Sequence, residues 1–487
     1  MSSTLKVLFV ATEVNPLAKV GGLADVIGAL PAALRKLGLD VRVAMPRYNT
    51  IDMAKHGPAE SVTRYEVSLF GRSEQIDVSK VSLRDGTPVY LLGNQTYFAR
   101  AAVYGEKDDL ERFLLLSVAA VELPDRLGWK PDVLHCHDWH TGLGPVLWKR
   151  RQSQSPASSA SASVFTVHNL GYQGNFDDWF ASKAGLRQYL PPESDPIRPK
   201  VWSMMGLAIL AADAVSTVSP TYAREVLTPE YGFQLHEVLQ RRQADLSGIL
   251  NGIDYEEFDP AKDRVIPFKY NAQNLKEKGK NKAVLQKRAG LDESPEAPVA
   301  GMVGRLADQK GLDLVASALE QLLIETDVQF VLLGSGDEKY RSALDGLSGK
   351  YPTRMCLTQG FDIGLAQLIY AGCDLFLMPS RYEPCGLGQM IALKYGTIPV
   401  VRQTGGLADS IEDCSADLSR GNGFTFREYR KDKFIEALQR ADTAFHRKSE
   451  WRKLVVRAMK SDFSWDVSAR KYVEMYEKAV RKARSGV

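Results

Sequence analysis

Short β-rich runs that end in small or polar residues alternate along this chain with longer helix-like segments, and that alternation restricts the fold more than any other feature. The runs are "KVLFVATEV", "PDVLHCHDW", "SVFTVHNLG" and "AVSTVSP", then "VAGMVGRL", "QFVLLGSGD", "DLFLMPS" and "TIPVVRQTGG". Strand, helix and strand in succession form the βαβ unit, so the pattern predicts an α/β fold with parallel sheets covered by helices on both faces. In open parallel sheets ligands bind beyond the carboxyl ends of the strands. The chemically interesting residues of this chain nearly all follow a strand. At 487 residues the chain exceeds one ordinary core, and two or three domains are expected. The pattern lapses between residues 251 and 282 and resumes with a strand at Val299. This predicts an N-terminal domain over 1–250 and a C-terminal domain over 251–465. The helix-favouring end, 466–487, would close the second domain or cross back onto the first.

Charge excludes little but points inward. Lys+Arg 62 against Asp+Glu 59 gives a formal net charge of +3, so there is no global electrostatic reason to expect nucleic acid or an anionic membrane as partner. Any phosphate binding must be local. The cysteines, Cys136, Cys356, Cys373, Cys385 and Cys414, are scattered, with no C-x-x-C pair, which argues for reduced thiols in a cytosol-like compartment. The start "MSSTLKVLFVATEV" has an apolar core too short for a signal peptide and reads as a first strand. No membrane span is expected, since the most apolar stretch, "GLAILAADAVSTVS", is interrupted by Asp213. Residues 152–163, "QSQSPASSASAS", read as an exposed loop without chemistry.

Several clusters carry candidate chemistry. In "AKVGGLADVIGAL", Gly21 and Gly22 stand between a strand and a helix whose apolar face is Leu23, Val26, Ile27 and Leu30. The stretch is a simple turn or an anion site, in which helix amides and Lys19 meet a phosphate. "LHCHDWHTG" packs His135, His137, Asp138 and His140 together. It reads as a metal site, as imidazoles bonded to nearby loops, or as polar lining of a substrate cleft. No second cluster completes a metal coordination sphere. His168 stands at another strand end. In "GRLADQKGLD", Arg305 and Lys310 form either a solvated turn or a clamp on a diphosphate. "PSRYEPCGLGQ" puts Glu383 before a predicted helix, "GLGQMIALKYG", where it is a cap or a ligand contact, and the amides of 385 to 387 could face a ligand. "RQTGGLADS" repeats the opening theme with Thr404, Gly405 and Gly406.

The stretches "KVGGLADVIGALPAAL", "HCHDWHTGL", "TVHNLGYQG", "STVSPTYAREV", "GILNGID", "GRLADQKGLDL" and "PSRYEPCGLGQMIALKYGTIPVVRQTGGLADS" resemble, in order and spacing, bacterial glycogen synthases and plant starch synthases. The resemblance spans nearly the whole chain. It implies a GT-B fold of two Rossmann-like domains with the active site in the cleft between them. It implies transfer of glucose from ADP-glucose to the non-reducing end of an α-1,4-glucan, glycogen or a maltooligosaccharide, with retention and without a metal cofactor. In this resemblance Lys19, Gly21 and Gly22 face the sugar and diphosphate. Arg305 and Lys310 neutralise the departing ADP, with Thr404, Gly405 and Gly406 as further phosphate donors. His168, Asn251, Glu383, Cys385, Gly386 and Leu387 bind glucose beside Asp138, and Phe361 in "QGFD" lies near adenine. Related retaining transferases carry a second glutamate, gripping the ribose, where this chain has Ile391. Many relatives also have a bulkier residue at Gly388. The compartment implied is the cytoplasm, or the plastid stroma in a plant. Competing readings are a transferase using UDP-glucose or another acceptor, a lipid-acceptor enzyme, for which no convincing basic amphipathic helix is seen, and a non-catalytic glucan-binding protein. An NAD-dependent enzyme lacks its dinucleotide glycine pattern.

Overall fold

The computed structural model describes residues 4–154 and 161–485. It divides into two compact units, Met1–Gly252 with Trp465–Val487, and Ile253–Ser464. The division falls two residues later than the sequence pattern predicts, and the last helix, Trp465–Ser485, packs with the first unit.

In the first unit the strands are β1 (Lys6–Val10), β2 (Asp40–Pro46), β3 (Glu60–Leu69), β4 (Arg72–Ser82), β5 (Pro88–Gly93), β6 (Val133–His137), β7 (Ala162–Val167), β8 (Ala214–Thr217) and β9 (Leu246–Gly248). They form one sheet in the order β3-β4-β5-β2-β1-β6-β7-β8-β9. The expected parallel pairing holds from β5 through β9, and an antiparallel edge is added to it, because β4 pairs antiparallel with both β3 and β5. The reason is visible in β3 and β4, whose residues alternate exposed and buried along much of their length, as a strand with one wet face requires. The central parallel strands are buried almost throughout. Helix Gly22–Lys36 covers one face with Leu23, Val26, Ile27 and Leu30, all buried as its spacing predicts. The last helix lies in the same core through Tyr472, Tyr476, Ala479 and Val480. Burying a Leu, Ile or Val side chain of this kind stabilises by about 1.5–3 kcal/mol.

The second unit has β10 (Val299–Val303), β11 (Gln329–Gly334), β12 (Met355–Gln359), β13 (Leu375–Met378), β14 (Ile398–Arg402) and β15 (Phe424–Phe426), in the order β12-β11-β10-β13-β14-β15. Every pairing is parallel. This is the doubly wound order, and its switch point lies between β10 and β13. The first sheet reverses likewise between β1 and β6. The connections leaving these four strands hold most of the candidate residues.

Residues 152–154 end helix Leu143–Gln154 and Ala162 begins β7, so the predicted Ser/Ala loop is shorter than expected; its middle, 155–160, lies outside the described residues. Among the described residues no helix is long and apolar enough to cross a membrane.

Candidate functional site

In the second unit, two connections are pressed together at the switch point. After β10 the chain makes a one-turn 3-10 segment, Asp308–Lys310, and then passes through Gly311 in the left-handed region, φ 72°. A Cβ on Gly311 would stand 2.1 Å from the carbonyl oxygen of Pro379, so only glycine permits this approach. It brings Lys310 Nζ to 2.7 Å from Glu383 Oε2, which also accepts from Ser380 Oγ at 2.9 Å. Glu383 is only 5% exposed, so its charge is held by partners rather than by water. Gln309 ties the two connections: it accepts from Arg305 at 3.2 Å, its backbone oxygen accepts from Arg381 N at 2.9 Å, and its amide approaches Tyr382 O at 3.4 Å. Arg305 itself is exposed.

Beyond Glu383 the predicted helix starts later than expected. Gly386 adopts φ 70°, and the helix is Gly388–Lys394, with Cys385 buried and Gly386 and Leu387 half-buried ahead of it. Gln389 Nε2 donates to the carbonyl oxygens of Cys385 and Gly386 at 3.1 and 2.9 Å, which fixes the turn. Ile391 is buried in this helix, and a Cβ on Gly388 would meet the Phe376 ring at 2.9 Å. Ile391 thus belongs to the core, and Gly388 stands close against the Phe376 ring.

Thr404, Gly405 and Gly406 lie against this turn. Gly406 N–H donates to the carbonyl oxygens of Glu383 and Pro384 at 3.1 and 3.2 Å. A Cβ on Gly405 would fall 2.0 Å from Glu383 O, and one on Gly406 2.0 Å from Cys385 O. The Gly406 N–H, expected as a phosphate donor, is shared here between these two carbonyl oxygens. Phe361 follows β12 and is 83% exposed, away from this packed set.

The first unit holds a second set. The loop amides at Val20 and Gly21 both donate to Glu13 Oε2, at 2.5 and 2.7 Å. Lys19 Nζ pairs with Asp25 Oδ1 at 2.5 Å. The anion on those two amides is here the chain's own carboxylate. Glu13 Oε1 also accepts from the Tyr104 hydroxyl at 2.6 Å, and Tyr104 stacks on His140 at 4.4 Å between ring centres. Gly21 and Gly22 remain exposed.

His135, His137 and His140 are buried, and none lies in a grouping able to hold a metal ion among the described residues. His135 bonds the Tyr476 hydroxyl at 2.8 Å and Thr166 Oγ1 at 2.7 Å. His137 Nδ1 lies 3.0 Å from His168 Nε2. Burial depresses all these imidazoles, His140 and His168 to about 3, so they are neutral near pH 7. Asp138 sits at φ 57°, and its Oδ1 accepts from His168 N at 2.8 Å and, more weakly, from Asn169 N. Burial raises its carboxyl to about 7. Asn251 is 5% exposed, and its buried Oδ1 has no hydrogen-bond partner among the described residues. An acceptor left so is costly unless a ligand satisfies it.

The structure thus brings together Lys310, Glu383, Gly386, Gly405 and Gly406 in one unit, and Asp138 with His168 in the other. Sequence reasoning missed Glu13, Tyr104, Ser380, Gln309 and Tyr476. Glu13 ends a strand run in "ATEV" and Ser380 stands three residues before Glu383, so both had a local signal. Tyr104 and Tyr476 had none.

Two doubly wound units with charged and polar strand ends fit a glycosyltransferase of the GT-B class, and the family and structural matches place the chain in that class. Residues 6–241 match the starch synthase catalytic domain and residues 285–443 the group 1 glycosyl transferases. The chain is 46% identical to the glycogen synthase of Moorella thermoacetica, covering 100% of this chain and 99% of that one. It is 44% identical to the glycogen synthase of Thermosipho africanus over 99% and 100% of the two chains. The solved catalytic domain of starch synthase IV from Arabidopsis thaliana, bound to ADP and acarbose, superposes with a TM-score of 0.90 at 36% identity, over 98% of this chain and 100% of that chain. The chain belongs to the family of glycogen and starch synthases.

Proposed function

We propose that this glycosyltransferase moves glucose from ADP-glucose to the non-reducing end of an α-1,4-glucan with retention of configuration, in a soluble compartment and without a metal cofactor. The observation that carries the reading is the Lys310–Glu383 pair at the switch point of the second sheet. Cleaving a glucosyl–phosphate bond builds negative charge on the leaving diphosphate and positive charge on the sugar. Lys310, half-buried, and Arg305, exposed, supply cations for the first, and oriented groups of this kind are worth most once a bound substrate excludes water. The neighbour bound to ADP and acarbose, a nucleotide and a sugar chain, supports this division of roles.

Glu383 has one oxygen, Oε2, engaged by both Lys310 and Ser380, which leaves Oε1 to orient sugar hydroxyls. A double displacement would require that carboxylate to attack the anomeric carbon. We favour instead entry of the acceptor on the face the diphosphate leaves, with a phosphate oxygen taking the acceptor proton. His168, Asp138 and Asn251 contribute sugar contacts, Lys19 with Gly21 and Gly22 the loop beside them, and Phe361 a face for adenine. Buried Ile391 cannot grip the ribose as a glutamate does elsewhere.

The test is glucose incorporation into glycogen from ADP-glucose and UDP-glucose in parallel, with and without EDTA, followed by analysis of the anomeric linkage. EDTA-resistant α-1,4 incorporation from ADP-glucose is expected. Preference for UDP-glucose would overturn the donor, and incorporation from neither would overturn the reading.

A further inference from the structure

His137 closes β6 and His168 follows β7, and their facing nitrogens are 3.0 Å apart. A hydrogen bond between two imidazoles needs one N–H and one lone pair, so the tautomer of one ring fixes that of the other. The remaining nitrogen of His137, Nε2, is buried and has no hydrogen-bond partner among the described residues. If His168 were the donor, neutral His137 would carry its proton on Nε2 and strand an N–H beside the Phe9 ring, which lies 5.2 Å away and nearly parallel. If His137 donates from Nδ1, only a lone pair is left unpaired. An orphaned buried N–H is the rarer and costlier outcome.

The neighbouring ring cannot change this. His135 lies 4.0 Å from His137 between ring centres, but its own nitrogens are taken by Tyr476 and Thr166. The second nitrogen of His168, Nδ1, has no partner among the described residues, and His168 is half-buried with its backbone N–H held by Asp138.

We infer that His137 is a positioning residue that holds His168 as its Nδ1–H tautomer, so that His168 donates a hydrogen bond to a substrate oxygen and does not accept one there. The inference rests on reading His168 as a substrate contact. It also separates the two histidines: His168 touches substrate, and His137 acts only through it.

The experiment is two-bond 1H–15N correlation spectroscopy of the full-length enzyme at pH 7 with 15N-labelled histidine, His168 being assigned by its loss in His168→Gln. The wild type should show His168 protonated at Nδ1 and bare at Nε2. In His137→Phe, which keeps a ring against Phe9 but has no N–H, Nε2 of His168 loses its donor and the ring is released to turn, so the single Nδ1–H form should give way to a mixture of the two tautomers. The same variant should lose on the order of tenfold or more in kcat with KM little changed, because an oriented donor has been lost. His137→Gln, whose amide can still donate, should recover part of both. A wild-type His168 protonated at Nε2 overturns the inference, as does a His137→Phe enzyme with unchanged kcat. A wild type that makes no glucan from either nucleotide sugar overturns the functional reading instead, while the tautomer spectrum remains decisive for His137.

Discussion

The pentapeptide Gly-Gly-Leu-Ala-Asp occurs twice in this chain, at residues 21–25 and at 405–409, and the two copies use their glycines for opposite purposes. At 21–25 the glycines are exposed, Gly21 is extended with φ −142°, and the nearest atom to an added Cβ is 3.9 Å away. The copy starts a helix of fifteen residues, and the amides before it rest on Glu13. At 405–409 both glycines are buried, Gly405 has φ 46°, and an added Cβ would overlap the backbone of Glu383. The first copy keeps a loop open at the surface, whereas the second lets two loops touch. Identical local sequence therefore carries no fixed role for glycine; the neighbouring strand end decides it.

The largest effect that would test this contrast comes from alanine in each copy. Gly405→Ala must relieve a 2.0 Å overlap with a carbonyl oxygen from a left-handed backbone, and we expect a loss of roughly 3 kcal/mol or more in the second unit together with activity. Gly21→Ala should leave thermal unfolding unchanged within about 0.5 kcal/mol and alter only substrate affinity. Equal destabilisation by the two, seen in paired melting curves, would erase the distinction.

Acid should separate the units next. In the first unit, His135, His137, His140 and His168 have folded pKa values depressed below 6.5, so the unfolded chain binds protons that the folded one refuses as pH falls through that range. Stability is therefore lost below about pH 6.5. Asp138 works oppositely: its folded carboxyl, raised to about 7, holds a proton that the unfolded chain has released, which adds stability between its unfolded value of 3.8 and 7. The four histidines outnumber the one carboxyl, so the net effect is a loss of stability as pH falls below about 6.5. The second unit has only His446, which is exposed. Hydrogen exchange at pH 5 should show protection lost first in Met1–Gly252; simultaneous loss in Ile253–Ser464 would contradict the assignment.

The same contrast marks how far the sequence alone reaches. Every β-rich run read from periodicity is a strand, because parallel central strands buried on both faces leave continuous apolar runs. β2, β5, β9, β12 and β15 were not read, nor was the edge hairpin β3–β4, whose half-wet alternation with polar residues resembles a surface segment more than a core one. Glu383 and Lys310 were legible as strand-end charges. Their 2.7 Å pairing was not, since it depends on Gly311 lying against Pro379, sixty-eight residues later in the chain. The Glu13 carboxylate beneath the Gly-Gly loop was hidden for a related reason: a strand-end acid looks the same whether it faces solvent or turns back onto its own loop.

Two lysines sharpen the comparison at a smaller scale. Lys310 pairs with buried Glu383, and removing it leaves an uncompensated carboxylate, so Lys310→Ala should lower kcat by about 10²–10³ and also lower the melting temperature of the second unit. Lys19 pairs with Asp25 at the surface, where such pairs contribute about 0–1 kcal/mol, so Lys19→Ala should leave melting unchanged whatever it does to turnover. Wild-type kcat in Lys310→Ala would remove it from the site.

The smallest expected effect addresses the first copy directly. If Glu13 is what shapes the loop at Val20 and Gly21, then Glu13→Gln keeps a carbonyl oxygen for the two amides but loses the charge that strengthens their bonds, and its amide group can no longer accept from Tyr104. Hydrogen bonds to a charged acceptor contribute about 1.5–3 kcal/mol against about 1 for neutral ones, so the loop should loosen without melting. The expected result is a rise of about tenfold in the KM for the sugar nucleotide, with kcat and the melting temperature nearly unchanged. An unchanged KM would mean that the loop is ordered by helix Gly22–Lys36 alone, and that the carboxylate merely fills a polar hollow behind it.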